Sequence, residues 1–469
     1  MKAINNPCPH ISKHLHRWTV ARDVTSGTYA VRAKGEVYLP KAYKQQDSIE
    51  YLDYQKSVPF YPAANRTCDG IVGLMMRRDP VLEASGLLTQ IKGVISSNGD
   101  SLEELARKVC REVLITNYCG LLTDYPQGKA SSLGAMLDEG KRPFVNLYPA
   151  ETILECKPGV VANKRVPVRV RLLEDDQVRL MEIVNGAVVI KVYRMTDNVW
   201  PDESSPTEVH YPEANGRPLT EIPFDLITTG NSFEPADAPM DNVVTLNLDH
   251  YISQSMLSKQ LLFNISPMLF VTGIPNTGNS EGEESDEIVW SPAAIYKLTD
   301  PQSKVFVASV PSDAAVPLKA QMESLEDKMA AIASRILARQ KSVAEAAETE
   351  AVRQGAENSI LAMIANSVSA KIVKALNRVS QFDGSGEVRF QINTDYLPKN
   401  ITPQEITALL GLRSAGEMSE ESLYYKLREG GVYNETLTYS EERARREAVE
   451  PKAVKTTPVV TDTEVPPAV

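Results

Sequence analysis

Between Asp313 and Phe382 the apolar residues fall into two long stripes. Leu318, Met322, Leu325, Met329, Ile332 and Ile336 recur at steps of four, three, four, three and four. Ile360, Ile364, Val368, Ile372, Leu376 and Val379 repeat the pattern. Steps of three and four keep side chains on one face of a helix with 3.6 residues per turn. The spacing therefore predicts helices over 313–338 and 344–381. At about 1.5 Å per residue the second spans about 57 Å. Between them the stripe lapses at Arg339-Gln-Lys-Ser-Val343. Two long helices joined by a polar break build a wall or a stalk more readily than an enzyme pocket.

The rest of the chain mixes periods. Leu102, Leu105, Ala106, Val109, Val113 and Leu114 share a face and predict a helix over 102–122. Val166 to Arg171 and Val178 to Tyr193 alternate with the period of strands, and the second run turns at Asn185-Gly186. That dipeptide suits a type I′ hairpin turn, where both central residues need positive φ. Pro201 to Pro218 reads as a loop, and Met240 to Asn264 as a helix with Asp237 as candidate cap. Met268 to Thr272, Ile288 to Trp290, Ile295 to Leu298 and Val305 to Val307 are short strand-like segments. They place a small β-containing insert between the helices at 240–264 and 313–338. Further on, Val388 to Ile392 reads as a strand. Thr402 with Glu405 and Ser419 with Ser422 open two short helices. The segment from Ala448 is Val, Thr, Pro and Glu without aromatics, a composition that predicts disorder. The fold class is α+β.

Composition narrows the function. The 469 residues are 42% hydrophobic and 24% charged, enough for a substantial core, with a formal net charge of -11. An acidic chain does not wrap DNA tightly, because counterion release needs clustered Lys and Arg. Loose contact with DNA stays open. Five cysteines without a C-x-x-C spacing read as free thiols in a reducing compartment. No apolar run reaches membrane-span length, and Asn65-Arg-Thr67 is a chance sequon.

Catalytic signatures are missing. There is no Walker A sequence, G-x-G-x-x-G, H-E-x-x-H or G-x-S-x-G; Gly384-Ser-Gly386 lacks the third glycine. His10, His14 and His16 lie close to Cys8, but only His10 and His14 would share a helix face and no acid is nearby. A polar N-terminal segment accounts for them better than a metal site. Arg335, Arg339 and Lys341 cluster at the polar break, as a DNA-facing loop or as a solvated helix end. Glu281, Glu283, Glu284, Asp286 and Glu287 form an acidic loop in the insert, suited to lining a pore or simply solvated. Glu345, Glu348 and Glu350 beside Arg353 read as helix-surface pairs.

The order of these parts resembles that of tailed-bacteriophage portal proteins: helix, β-containing insert, helix, polar loop, very long helix, β return. Local sequence agrees with a portal subfamily often described only as a domain of unknown function. It does so at Trp18-Thr-Val-Ala-Arg-Asp23 with Tyr38-Leu-Pro40, and at Arg66-Thr-Cys-Asp-Gly-Ile-Val-Gly73 with Arg78-Asp-Pro80. The same holds for Arg142-Pro-Phe-Val-Asn-Leu-Tyr148, Ile222-Pro-Phe224, Leu246-Asn247, Pro267-Met-Leu-Phe-Val-Thr-Gly273 and Glu348-Thr-Glu-Ala351. The resemblance covers roughly residues 15 to 430.

It implies a portal-type fold. A mixed α/β wing would fill 1–236, with stem helices at 237–264 and 313–338 around a small α/β clip at 265–312. A tunnel loop at 339–345, a long wing-crossing helix and wing return at 346–399, a short helical crown at 400–447 and a disordered tail at 448–469 would follow. The chain is short for a portal, so no long C-terminal barrel is expected. Arg339, Gln340, Lys341 and Ser342 would face DNA. Leu318, Met322, Leu325, Met329, Ile332 and Ile336 would pack the stem. The family forms closed rings, usually dodecamers, at one capsid vertex. The implied partners are further copies of the chain, double-stranded DNA without sequence preference, the terminase large subunit, head-tail adaptor or tail proteins, and major capsid and scaffold proteins. No cofactor, metal, membrane or enzymatic activity is implied. The location would be the virion, with assembly in the host cytoplasm. A fibre or scaffold protein with a helical coiled coil is the competing expectation. It explains the stripes but not the insert.

Overall fold

The computed structural model describes residues 3–41, 46–124, 142–214, 217–230, 232–265, 268–272, 304–308, 315–337, 347–394, 396, 403–429, 432–433 and 439–449. It is α+β and divides into two compact units, Met1–Thr394 and Asp395–Val469.

The first unit opens with helices α1 (Pro9–Ser26), α2 (Thr28–Ala33), α3 (Ser48–Ser57) and α4 (Ala63–Met75). Strand β1 (Val81–Glu83) and helices α5 (Leu87–Ile91) and α6 (Leu102–Thr116) follow. α6 begins at a capping box: Glu104 N donates to Ser101 Oγ at 3.2 Å, and Ser101 N donates to Glu104 Oε2 at 2.9 Å. These bonds satisfy two of the backbone donors that a helix start leaves open. The helix predicted over 102–122 ends earlier, at Thr116. Asn117 takes a left-handed conformation (φ 51°). The apolar run after it becomes strand β2 (Cys119–Asp124). Asn117 is fixed from a distant segment: its Nδ2 donates to Asp237 O at 2.9 Å, and its Oδ1 accepts from Thr229 N at 2.9 Å.

Two sheets form the body. β3 (Phe144–Tyr148), β2 and β11 (Phe224–Ile227) make an antiparallel sheet in the order β11-β2-β3. A Cβ at Gly120 of β2 would fall inside the Phe224 ring, so only glycine lets β11 seat its aromatic there. The second sheet is an antiparallel meander of β4 (Ile153–Val161), β5 (Lys164–Glu174), β6 (Gln177–Val184), β7 (Ala187–Arg194) and β8 (Glu208–His210). Its β6–β7 turn is the predicted Asn185-Gly186, with φ of 52° and 80°. The stretch read as a loop over 201–218 contributes β8 and the short pair β9 (Glu213–Ala214) and β10 (Arg217–Pro218).

Period-two alternation gives the meander two faces. Cys156, Val170, Met181 and Ile190 point to one side and pack with Ile11 and Trp18 of α1, Tyr118, Leu122 and Phe224. The other side carries an ion-pair tile. Glu155 accepts from Arg169 (3.1 Å) and Arg171 (2.8 Å), and Arg169 reaches Glu182 (3.2 Å) and Glu203 (2.7 Å). Beside the tile, Ile4, Leu154, Val178, Leu180 and Tyr193 form a smaller core.

Helix α7 (Asp241–Ile265) leads to strand β12 (Met268–Thr272), which pairs antiparallel with β13 (Lys304–Ala308). Helices α8 (Ala315–Leu337) and α9 (Ala347–Asp383) follow, then strand β14 (Arg389–Gln391), which pairs with β1. The second unit holds α10 (Pro403–Ser414), α11 (Glu420–Glu429) and α12 (Tyr439–Val449). Tyr424 stacks near Tyr433 (5.0 Å) and Tyr439 (5.7 Å), and Arg446 of α12 reaches Glu420 at 2.9 Å. Ser419 caps α11 through Ser422 N at 3.1 Å. Ala448 and Val449 close α12 and are helical, where composition predicts disorder from 448; their order follows from the helix that Tyr439 and Arg446 anchor. Residues 450–469 lie outside the described residues.

Candidate functional site

The segment from α7 to α9 is the part whose shape bears on function. α7 and α8 run antiparallel, as the contacts show: Leu257 clusters with Ala315 and Met322, while His250 faces Glu326 further along. Met322, Leu325 and Met329 of the predicted stripe are buried, and Leu318 and Ile332 are half-buried. The Ile336 side chain lies outside the described residues. β12 and β13 extend the pair beyond the ends of α7 and α8. The acidic residues Glu281, Glu283, Glu284, Asp286 and Glu287 between these strands lie outside the described residues. So do Arg339, Gln340, Lys341 and Ser342 between α8 and α9, and the side chains of Arg335, Glu348, Glu350 and Arg353.

The base of the helix pair is locked into the body by buried polar groups. Asn247, fully buried, accepts from Ala64 N at 2.9 Å and donates to Tyr61 O at 2.8 Å. Ala64 N is one of the first-turn donors of α4, so α7 supplies α4 with its missing cap. His250, 4% exposed, bonds Glu326 Oε1 through Nε2 at 2.9 Å, with the Tyr61 ring 5.6 Å away. Tyr251 meets Phe60 edge-on at 5.3 Å. Arg17 of α1 holds both Asp237 (2.8 Å) and Asp241 at the start of α7. Asp237 is therefore an ion-pair partner rather than the predicted cap. Asp241 accepts from Ala238 N and closes the entry turn.

Helix α9 returns the chain to the body. Ile364, Val368, Ile372, Leu376 and Val379 are all buried, as are Leu361, Ala365 and Ala375 beside them, so the stripe is wider than a coiled-coil seam. Ser367 Oγ donates to Thr228 O at 3.1 Å, and Ile392 N donates to Ser369 Oγ at 3.0 Å. Asp225 of β11, 3% exposed, receives Lys374 at 2.9 Å and both Nη groups of Arg378. Lys371, one turn earlier, is half-buried, and burial lowers its pKa.

Sequence motifs singled out above take structural places. Trp18 stacks on Tyr118 at 5.4 Å and on His14 at 5.8 Å. Arg22 forks onto Glu112 (2.8 and 2.9 Å) and Glu151 (2.9 and 2.8 Å), and Asp23 accepts from Tyr38 Oη at 2.7 Å. His10, His14 and His16 ride on α1, with His10 Nδ1 3.3 Å from Cys8 Sγ. Among the described residues no three His, Cys, Asp or Glu side chains converge as a metal site, and no helix is long and apolar enough to cross a membrane. Asn65 of the sequon lies within α4 and donates to Thr25 O at 2.5 Å. All five cysteines are free thiols.

Residues 239–383 match the family described as Domain of unknown function (DUF4055). No curated protein matches the chain. Among solved structures the chain is similar to one in "Neck of empty GTA particle computed with C6 symmetry", at 14% identity and a TM-score of 0.41, over 83% of this chain and 95% of that one. It is also similar to one in "Virion of native gene transfer agent (GTA) particle", at 14% and 0.38, over 84% and 96%. A third is from "Neck of native GTA particle computed with C12 symmetry", at 14% and 0.36, over 85% and 99%. All three TM-scores lie under 0.5. The matched stretch takes in the run from α7 through the β12–β13 pair and α8 into α9, in keeping with the resemblance to a portal subfamily described only as a domain of unknown function.

Proposed function

We propose that the chain is a portal protein, the subunit of a ring-shaped DNA channel at one vertex of a phage-like capsid. One observation carries this reading. Within residues 239–383 an antiparallel helix pair is extended at its far end by a β insert and rooted at its near end in an α/β body, and a 37-residue helix then returns through that body. Helix α9 is about 55 Å long at 1.5 Å per residue. A body with one projecting pair suits a ring whose wall is built by repeating the pair around an axis. In this reading α7 and α8 are the stem, 265–312 the clip, 339–345 the tunnel loop, 1–236 and 346–399 the wing, and 400–447 a short crown.

Charge supports the reading. An acidic wall lets DNA slide because phosphates meet few fixed cations. Arg339, Gln340, Lys341 and Ser342 would touch the backbone without reading sequence. The clip would dock the terminase large subunit during packaging and adaptor or tail proteins afterwards, and the wing would meet capsid and scaffold proteins. The chain would have no catalytic activity of its own. The coiled-coil fibre reading fares worse, because Met322 of the α8 stripe packs with Leu257 of α7 in the same chain.

The test is packaging by particles carrying Arg339→Glu with Lys341→Glu. Rings of unchanged mass with impaired filling or poor DNA retention are expected. Normal packaging would sink the tunnel-loop assignment.

A further inference from the structure

The outer face of α9 differs from the rest of this acidic chain. From Asn358 to Phe382 there is no Asp or Glu, but there are Lys371, Lys374 and Arg378. These three share one side of the helix, at steps of three and four. Asp225 is the anion bound there; it pairs directly with Lys374 and Arg378 and acts on Lys371 only at longer range. Lys371 is half-buried and has no hydrogen bond or ion pair among the described residues. A half-buried cation that shares the field of one carboxylate with two neighbouring cations is poorly compensated, and an incoming carboxylate would relieve it. Beside these cations the helix exposes apolar surface. Met363 is 51% exposed, Ala370 is exposed and Val373 is half-buried.

The complementary surface is on α3. Ile49 and Leu52 are 72% and 51% exposed, one turn apart. Asp53 shares their face, and Glu50 borders it. Asp53 pairs with Lys56 at 3.1 Å, but both side chains are 71% exposed, and such a pair is easily exchanged for another. Tyr29 and Val37, also exposed, belong to the same stretch of chain, with Glu36 beside Val37. The two faces lie on different helices linked through the body: α9 packs on α6, α6 on α1, and α1 on α2, whose Arg32 O accepts from Gln55 of α3. A single chain therefore presents an apolar face edged with cations and, separately, an apolar face edged with acids.

We infer that α9 of one copy docks against α3 of the next, Met363, Ala370 and Val373 covering Ile49 and Leu52 while Lys371 and Lys374 meet Glu50 and Asp53. Two different faces that recognise each other make a heterologous contact, which closes into a ring when the rotation between copies divides a full turn. The inference rests on the ring reading above and assigns the surfaces that build the ring.

The test uses the full chain and two blocked variants, Ile49→Asp with Leu52→Asp, and Met363→Asp with Ala370→Asp. All four positions are exposed, so circular dichroism and melting should match the parent. Native mass spectrometry reads the assembly. The parent should be a ring, and a monomeric parent would overturn the ring reading itself. Given a parent ring, each variant alone should be a monomer. Their equal mixture should form a one-to-one dimer that grows no further, since each chain keeps one working face. Variants that still form rings, or a mixture that stays monomeric, overturn the α9–α3 pairing. Intact variant rings with at least tenfold weaker DNA binding by the α9 variant would also overturn it, and would reassign that face to a polyanion.

Discussion

Arg378 of α9 grips Asp225 of β11 with both Nη groups at a site where the carboxylate is 3% exposed. The pair pins the long helix to the central three-stranded sheet, 153 residues away in sequence. Removing one partner of such a pair leaves the other buried and uncompensated, which costs about 3–5 kcal/mol. Asp225→Asn should therefore lower the unfolding free energy, read from urea titration, by an amount in that range. Lys374→Gln, at a side chain 45% exposed, should cost under about 1 kcal/mol. Equal effects of the two would show that the clamp is not centred on Arg378.

Asn247 ties the foot of the helix pair to α4. Asn247→Ala removes an acceptor for Ala64 N and a donor to Tyr61 O, both in buried surroundings. The loss of a cap together with a buried hydrogen bond should destabilise by about 2–3 kcal/mol. Hydrogen exchange should show faster opening of the first turn of α4 in the variant. Unchanged protection there would remove the capping role.

Gly120→Ala tests the fit between β2 and β11. The added methyl would occupy the space of the Phe224 ring. Overpacking of this kind costs about 1–3 kcal/mol. Phe224→Leu in the same chain should recover part of the loss, whereas Phe224→Leu alone should only destabilise. Failure of the double variant to recover any of it would point to another cause.

The thiols predict a pH dependence. Burial pushes Cys68 up to about 11, and Cys110 and Cys156 up to about 12. In the unfolded chain these groups ionise near pH 8.5. Above that pH the unfolded state releases protons that the folded state keeps, so stability falls as pH rises. The loss begins near pH 9 and continues towards 11 or 12, and each thiol contributes about 1.4 kcal/mol per pH unit within that window. A variant with alanine at all three positions should show a flatter decline in melting temperature between pH 8 and 10. Only Cys8 is accessible enough to react early with a thiol reagent in the native protein. Rapid labelling of two or more thiols at pH 8 would contradict the buried placement.

Strong local periodicity made part of this fold legible. The stripes of α8 and α9 and the Asn185-Gly186 turn depend on residues close in sequence; the structure has both helices and the turn, and the stripe residues from Met322 to Met329 and from Ile364 to Val379 are buried. α1, α3 and α4 were not individually legible. α1 carries three histidines and several basic side chains among its core residues, so its apolar face is diluted. The end of α6 was misplaced because Asn117 is turned by Thr229 and Asp237, more than a hundred residues away. Asn247 stood out as part of a motif, but its role rests on Ala64, 183 residues earlier. The same limit applies to Asp237, whose partner Arg17 lies on another helix. The expectation that Arg339 to Ser342 contact DNA rests on topology alone, since the polar break has no periodicity of its own. The α9 and α3 faces were invisible in sequence, because exposure of an apolar side chain depends on what the whole fold leaves uncovered.

The central claim is that identical copies of this chain close into a ring around a channel. The mass of the purified assembly by native mass spectrometry, with class averages of the same sample, tests it most directly. The account predicts one closed species of about twelve subunits with an open axial hole. A stable trimer, an elongated rod or a chain that stays monomeric would contradict it.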